Sequence, residues 1–243
     1  MAFYDQAGYD IRFEWGLAGA ERLSALVAVS VIVDVLSFTT AVDVAVARGA
    51  TILPFPWRDE RAAAFAAHQG AVLASHDRRS GWSLSPASLV AIPAGTRLVL
   101  PSPNGATLSF AARSPQVIAA CLGNAPAVAA WLSAEAGPVA VFAAGERWPD
   151  GSLRPAIEDL IGAGAVIAGL GGTKSPEAHM AEAAFLMANA ALSRIIHGCS
   201  SGVELIERGF AEDVRLAAEY GVSTAVSWLQ GGAFAAVPLR GEA

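Results

Sequence analysis

Short apolar runs alternate with helical patterns along most of the chain. The first run, residues 25–35, is rich in valine and almost continuously apolar, which is typical of a strand buried on both faces. Later strands are predicted at 50–55, 71–74, 97–101, 116–121, 138–145 and 222–229. Helices are predicted at 41–49, 60–68, 104–113, 125–137, 156–170, 176–192, 201–210 and 211–221.

This alternation predicts an α/β fold in which a largely parallel or mixed sheet lies between helical layers. The 243 residues are assigned to a single domain, with residues 1–24 as a possible N-terminal extension. In open sheets of this kind, ligands bind outside the carboxyl ends of the strands. The residues that follow each strand are therefore the first candidates for a functional site.

Composition and charge narrow the class of protein. The chain is 54% hydrophobic and 16% charged, which allows a sizeable core and excludes disorder. A net charge of -6 gives no basic excess for nucleic acid. No apolar run is long enough to cross a membrane, and the N-terminus has no apolar signal region, so a cytoplasmic location is expected. The two cysteines, Cys121 and Cys199, are too few and too far apart for a CxxC metal site, and core thiols are expected.

The first predicted strand ends at Asp34, and a carboxylate there is costly to bury unless it is paired or bound to a cation. Ser37, Thr39 and Thr40 follow where a helix begins, and a helix start favours an anion. One interpretation is a metal ligand or acid beside an anion cradle. The other is ordinary capping by serine and threonine, and the segment alone favours neither.

The stretch PSPNGA, residues 101–106, follows another strand and opens another helix. Asn104 and Gly105 can adopt unusual backbone angles, so successive N–H groups can converge on a phosphate or carboxylate. Ser102 adds a hydroxyl. A plain strand-to-helix turn also favours these residue types, and on this segment alone it is the stronger interpretation.

Three further strand ends carry polar groups. Asn124 either caps the helix that follows it or points into a site. Glu146 lies in a loop, and Glu158 and Asp159 are adjacent in a helix, where neighbouring positions diverge by about 100°. Oxygen ligands of this type suit Mg²⁺, although a solvated acidic turn is equally consistent. The segment 200–202, Ser-Ser-Gly, is a candidate anion site at a helix start, whereas Asp213 is interpreted as an acid stabilised by a helix dipole.

Five segments, in this order and spacing, resemble the 2-phosphosulfolactate phosphatase (ComB-like) family across residues 25–215. They are VIVDVLSFTTAVDVAVARGA, PSPNGA, CLGNAPAVAAWL, AG…SLRPAIEDLIGAGA and SSGVELIERGFAEDV. The resemblance implies a three-layer α/β/α fold and a Mg²⁺-dependent phosphatase acting on 2-phospho-3-sulfolactate, whose product leads towards coenzyme M. Matching positions fall at Asp34, Thr39, Thr40, Asn104, Gly105, Asn124, Glu158, Asp159, Ser200 and Gly202.

The sequence departs from the family pattern at several of these motifs. Ser37 stands where the family has an arginine, Ser102-Pro103 replaces Thr-Thr, and residues 77–86 differ from the usual glycine-rich stretch. Losing a guanidinium fork should weaken anion binding. Arg78 or Arg79 is a candidate for supplying the missing charge, and Arg147 and Arg154 are further candidates for binding an acidic tail.

The expected chemistry is phosphoester hydrolysis at the strand ends. Mg²⁺ would be held by some of Asp34, Glu146, Glu158 and Asp159, and would activate water. Amides at Asn104–Gly105 and near Thr39 would hold the phosphoryl group. Because Leu36 replaces the second acid of a DxDx[TV] motif, metal-activated water is favoured over a phosphoaspartate.

Two rival hypotheses remain open. One keeps the phosphatase chemistry but changes the substrate to another phosphorylated hydroxy acid, because Ser37 departs from the family pattern. The other is a non-catalytic protein that only binds anions. A homo-oligomer is compatible with the sequence, which does not determine it.

Overall fold

The computed structural model describes residues 2–57 and 59–237, and a nine-stranded mixed sheet forms their centre. The strands lie in the order β1-β7-β2-β6-β10-β11-β3-β5-β4, and a separate two-stranded sheet pairs β8 with β9. The strands are β1 (Ile11–Trp15), β2 (Val29–Val33), β3 (Thr51–Phe55), β4 (Val72–Leu73), β5 (Arg97–Pro101), β6 (Gln116–Ala120), β7 (Val139–Ala143), β8 (Glu146–Arg147), β9 (Leu153–Arg154), β10 (Ser227–Gln230) and β11 (Ala233–Ala236).

The α-helices of the described residues follow the strands or cluster in the second half of the chain. They are α1 (Gly16–Leu23), α2 (Phe38–Ala47), α3 (Glu60–His68), α4 (Pro86–Leu89), α5 (Gly105–Ala111), α6 (Ala125–Leu132), α7 (Ile157–Ala168), α8 (Pro176–Ala188), α9 (Leu192–Gly198), α10 (Ser200–Glu207) and α11 (Ala211–Ala217).

The large sheet consists of two parallel sets joined by a hairpin. Strands β1, β7, β2 and β6 run parallel to one another, as do β3, β5 and β4. The hairpin β10–β11 pairs antiparallel with β6 on one side and with β3 on the other, so the two sets run in opposite directions. Helix α5 follows β5 but contacts both β3 and β2, and its start therefore reaches the end of β2.

Alternating side chains of the strands pack on two helical layers, as a period of two requires. In β2, Val29, Val31 and Val33 face helices α6–α11, while Ile32 faces α1 and α5. In the other set, the inner residues of β3 and β5 pack on α2 or on α3. The three-layer α/β/α architecture is thus confirmed, with a sheet that is mixed rather than largely parallel.

The structure departs from the sequence prediction at the edges of the fold. Residues 11–23, expected as part of an extension, form β1 and α1, and β1 pairs with β7. Residues 146–154, expected as a loop, contain β8 and β9. Strand β11 was missed because its sequence, AFAA, lacks the β-branched residues that favour strands.

The structure also describes the environment of the two cysteines and the length and apolarity of the helices. Cys121 and Cys199 are both free and buried, as expected for core thiols. Across the described residues, none of the helices combines the length and apolarity that a membrane span requires.

Candidate active site

The turn after β2 is organised by Asp34, which is only 6% exposed. Its Oδ1 accepts a hydrogen bond from the N–H of Phe38 (3.2 Å), the first residue of α2. The Thr39 hydroxyl donates to the Asp34 carbonyl oxygen (2.8 Å) and accepts from the Asp34 N–H (3.0 Å). The start of α2 therefore binds the protein's own carboxylate and fixes its direction.

The PSPNGA turn after β5 serves the same carboxylate. The N–H of Gly105 donates to Asp34 Oδ2 (2.8 Å), and the N–H of Asn104 donates to Ser102 Oγ (3.4 Å). The Asn104 side chain donates from Nδ2 to Glu146 Oε2 (3.0 Å). The backbone amides of Asn104 and Gly105, predicted to hold a phosphoryl group, thus already donate to protein acceptors. The turn instead positions the carboxylates of Asp34 and Glu146.

Three carboxylates, Asp34, Glu146 and Glu158, approach one another at the end of β2, and we call them the acid cluster. Burial, reinforced by the negative charges of Glu146 and Glu158, raises the pKa of Asp34 to about 6. Burial also raises the pKa of Glu146, against the opposing effects of Asn104 and Arg154. Like charges held together in a low-dielectric site favour either a bound cation or a proton. The acid cluster is therefore electrostatically suited to a cation.

Asp159 is close to these groups but is held differently. Its Oδ1 accepts from the N–H of Val35 (2.7 Å), and its Oδ2 accepts from the N–H of Gly145 (2.8 Å). Burial, followed by the charge of Asp34, raises its pKa well above the ordinary range. Asp159 joins the residue after Asp34 to the residue before Glu146, which is a positioning role for the acid cluster.

A cavity of about 210 Å³ adjoins the acid cluster at Asp34 and Glu146, whereas the buried Glu158 does not line it. Its lining includes Asp34, Asn104 and Glu146, and it also includes Arg78 and Arg208. The remaining lining residues are Leu36, Ser37, Leu84, Ser102, Pro103, Ser201, Glu204 and Leu205. Acidic and basic side chains thus line the same cavity, which suits an anionic ligand that binds together with a cation.

Arg78 places a guanidinium next to Ser37, the residue that stands where the family has an arginine. Its Nη1 and Nη2 each donate to Ser37 Oγ (3.2 Å), and Nη1 also donates to Asp213 Oδ2 (3.0 Å). Asp213 lies in the first turn of α11, as predicted for an acid stabilised by the helix dipole, but it also has specific side-chain partners. Asp213 is 1% exposed, pairs with Arg78, and accepts from the Ser85 hydroxyl and from the Ala87 N–H.

Several residues predicted to bind substrate are engaged elsewhere. The Thr40 hydroxyl donates to the Val35 carbonyl oxygen (2.8 Å), so Thr40, like Thr39, stabilises the turn. Asn124 is fully buried: its Oδ1 accepts from the Cys121 N–H, and its Nδ2 donates to the carbonyl oxygens of Ala119 and Ala225. These side chains shape the backbone and do not line the cavity.

The start of α10 contributes a different serine from the one carried over from the family. Ser200 is exposed, whereas Ser201 lines the cavity and accepts from Arg154 Nη2 (3.1 Å). The N–H of Gly202 donates to Cys199 Sγ, and a methyl group at Gly202 would overlap the Ile196 carbonyl. Gly202 therefore permits close packing of α10 on α9 and does not reach the cavity.

One helix face extends from Ser201, in the predicted segment 200–202, to three lining residues that the sequence analysis did not assign. Ser201, Glu204, Leu205 and Arg208 all line the cavity. Their spacing of three or four residues places them on one side of α10. The same spacing can be read from the sequence. Given that the start of α10 belongs to the site, it predicts which side of the helix lines the cavity. Arg79 lies outside this cavity and lines a neighbouring one, and Arg147 lines a third beside Asn104 and Glu146.

The donor set fits Mg²⁺ if substrate and water complete its coordination. In residues 2–57 and 59–237, no group of three or more histidine, cysteine, aspartate or glutamate side chains is placed to hold a metal ion by itself. Mg²⁺ commonly needs only one or two carboxylates, with water and phosphate oxygens as the other ligands. The carboxylates of Asp34 and Glu146, which line the cavity, are ligands of this kind.

Comparison with known protein families identifies the class of protein to which the chain belongs. The family whose model matches the chain is one of phosphoric monoester hydrolases. The chain belongs to the 2-phosphosulpholactate phosphatase family, whose model matches residues 18–232. A comparison with curated proteins found no match. The family assignment implies a small phosphorylated substrate, for which the cavity has both a cationic and an anionic side.

Proposed function

We propose that the protein hydrolyses 2-phosphosulfolactate to 3-sulfolactate and phosphate with the help of Mg²⁺. The observation that carries the proposal is the cavity itself, which is lined both by the carboxylates of Asp34 and Glu146 and by Arg78 and Arg208. The substrate combines a phosphate with two further anionic groups. A divalent cation at the acid cluster would bind the phosphate, and the arginines would bind the rest of the molecule.

In this proposal Glu146, which lines the cavity beside Asp34, would be the main metal ligand, and the negative charge of the buried Glu158 would strengthen cation binding. Bound Mg²⁺ would polarise the phosphoryl oxygens and stabilise the charge that develops on them. Asp34 accepts a proton from the attacking water, because amides fix both of its oxygens and its pKa is close to neutrality. A bond forms between the water oxygen and phosphorus, the bond to the ester oxygen breaks, and the proton passes to the departing alcohol.

The pH dependence follows from the pKa of Asp34. Since the ionised carboxylate is the active form, kcat/KM at subsaturating Mg²⁺ is expected to rise with pH through about 6. Because saturating Mg²⁺ favours the ionised carboxylate, it should move this rise of kcat/KM to lower pH. Initial rates of phosphate release at two Mg²⁺ concentrations check this. If the rise of kcat/KM with pH stays at the same pH, or moves to higher pH, the proposed role of Asp34 is contradicted.

Arg78 is expected to bind the substrate rather than to perform chemistry. Arg78→Gln should raise KM by about 10- to 100-fold, the value of one or two charge-assisted hydrogen bonds. The same substitution leaves Asp213 buried without its cation, and should lower the free energy of unfolding by about 3 kcal/mol.

A double variant separates these two effects of Arg78. Arg78→Gln with Asp213→Asn removes the uncompensated charge, so thermal stability should recover while KM stays high. Recovery of KM in the double variant would show that Arg78 acts only through stability, against the proposed binding role.

The substrate itself is tested with a panel of esters in the presence of Mg²⁺. We expect 2-phosphosulfolactate to be hydrolysed with a higher kcat/KM than 2-phospholactate, 2-phosphoglycerate and p-nitrophenyl phosphate. Preferential hydrolysis of another ester would refute the proposed substrate and keep the phosphatase chemistry.

A further inference from the structure

A second cavity adjoins the one above the acid cluster. Its volume is about 280 Å³, and the two cavities share Arg78, Leu84 and Arg208 as common walls. The second cavity is otherwise lined by residues 74–77, Arg79, Pro101 and Phe210. We call it the arginine pocket.

Three guanidinium groups surround one aromatic ring in the arginine pocket. The Cζ atoms of Arg78, Arg79 and Arg208 lie 5.6, 5.3 and 6.0 Å from the centroid of the Phe210 ring. Each contact is individually favourable, but the three positive charges repel one another. Such an arrangement is stabilised when an anion lies among the guanidinium groups.

The counter-charges near the arginine pocket are unevenly placed. Asp213 pairs with Arg78, and Glu204 pairs with Arg208 at 3.0 Å. Asp77 lines the pocket, and its Oδ1 accepts from the backbone N–H of Arg79 (2.9 Å). The contacts described for the Arg79 guanidinium involve no carboxylate. It donates to the backbone carbonyl oxygen of Arg208 (2.8 Å) and packs on the Phe210 ring. The Arg79 guanidinium is thereby held next to the backbone of Arg208 at the pocket surface.

Arginine at such positions is suited to oxoanions, since its planar fork donates two parallel hydrogen bonds. The phosphate is assigned to the acid cluster, where a cation is available. An additional anionic group on the same molecule would extend past Arg78, which borders both cavities.

We propose that the arginine pocket is the subsite for the sulfonate of the substrate, and that Arg79 and Arg208 determine the preference for sulfonated esters. This inference rests on the proposed function, because it takes the phosphate to lie at the acid cluster. It assigns the selectivity of the enzyme to residues that do not contact the reacting phosphoryl group.

The test compares two esters that differ by the sulfonate, 2-phosphosulfolactate and 2-phospholactate. Arg79→Gln should lower the ratio of their kcat/KM values by about tenfold, mainly through KM of the sulfonated ester. Arg208→Gln should act in the same direction, and Arg79→Lys should retain part of the preference. An equal loss on both esters would overturn the proposal.

Controls separate the subsite from folding and from the proposed function. Arg194→Gln makes the same charge change on the exposed surface of α9, away from both cavities, and should leave the ratio unchanged. Binding of 3-sulfolactate, measured by calorimetry, requires no turnover. Binding that Arg79→Gln weakens by about tenfold supports the subsite even if neither ester is hydrolysed, whereas equal binding by both proteins overturns it.

Discussion

Replacement of Asp34 by asparagine is expected to reduce phosphate release by about 10²- to 10⁴-fold, the usual contribution of a positioned general base. The carboxylate is the point at which β2, α2 and the PSPNGA turn meet, and asparagine keeps its shape without its charge. The measurement is kcat/KM for the best ester at saturating Mg²⁺, for the wild type and the variant.

Stability should change in the opposite direction from activity. The folded-state pKa of about 6 lies above the ordinary value of 3.8, so the fold loses stability as the pH rises through this interval. At pH 7 without metal, the penalty for the buried charge is about 3 kcal/mol, from about 1.4 kcal/mol for each pKa unit. Asparagine removes this penalty but leaves one amide donor without an acceptor, which costs about 1–3 kcal/mol. We therefore expect an equal or higher melting temperature for Asp34→Asn.

The control for Asp34 is the same substitution at an exposed aspartate. Asp59→Asn loses an exposed pair with Arg61 but keeps a side-chain oxygen that can cap α3, so it should change neither activity nor stability appreciably. An Asp34→Asn protein that keeps wild-type activity would contradict the assignment of the base. An inactive protein that is also unfolded would show that the carboxylate is structural.

Gly105→Ala is expected to lower kcat/KM by about 100-fold, because misplacement of a reacting group by about 1 Å has an effect of that size. A methyl group at this position would overlap the Phe38 ring and lie 2.8 Å from Asp34 Oδ2. The carboxylate or the helix start must therefore move. The free energy of unfolding should fall by about 1–3 kcal/mol, as for other overpacked sites.

Gly198 provides a matched control for Gly105. A methyl group at Gly198 meets no atom within 4 Å, so Gly198→Ala should stay within about 0.5 kcal/mol of the wild type and retain full activity. Rates from Gly105→Ala equal to those of Gly198→Ala would show that the close approach of Gly105 to Asp34 is unimportant for catalysis.

The positions of the main strands and helices followed from the sequence because local patterns determine them. The helix 60–68 and the strand 97–101 agree with the prediction at both ends, since Asp59 caps the helix and the apolar run ends at Pro101. The direction of the two parallel sets was not predictable in this way. It depends on the hairpin β10–β11, whose pairing partners are distant in the chain.

The candidate site was predicted in part, and the departures share a physical cause. Sequence reasoning recognised amides at the starts of α2 and α5 as anion donors, and the structure gives them an anion from within the chain, the carboxylate of Asp34. Which anion fills such a position depends on tertiary distances. The proximity of Arg78 to Ser37 has the same origin, because 41 residues separate them in the chain.

The central claim is that the acid cluster binds Mg²⁺ for hydrolysis of a phosphoester. The most direct measurement is the initial rate of phosphate release from 2-phosphosulfolactate as Mg²⁺ is titrated into enzyme treated with EDTA. We predict a rate near the blank without metal, saturable activation by Mg²⁺, and a weaker apparent affinity for Mg²⁺ in Glu158→Gln. Hydrolysis that is as fast with EDTA as with Mg²⁺ would contradict the account.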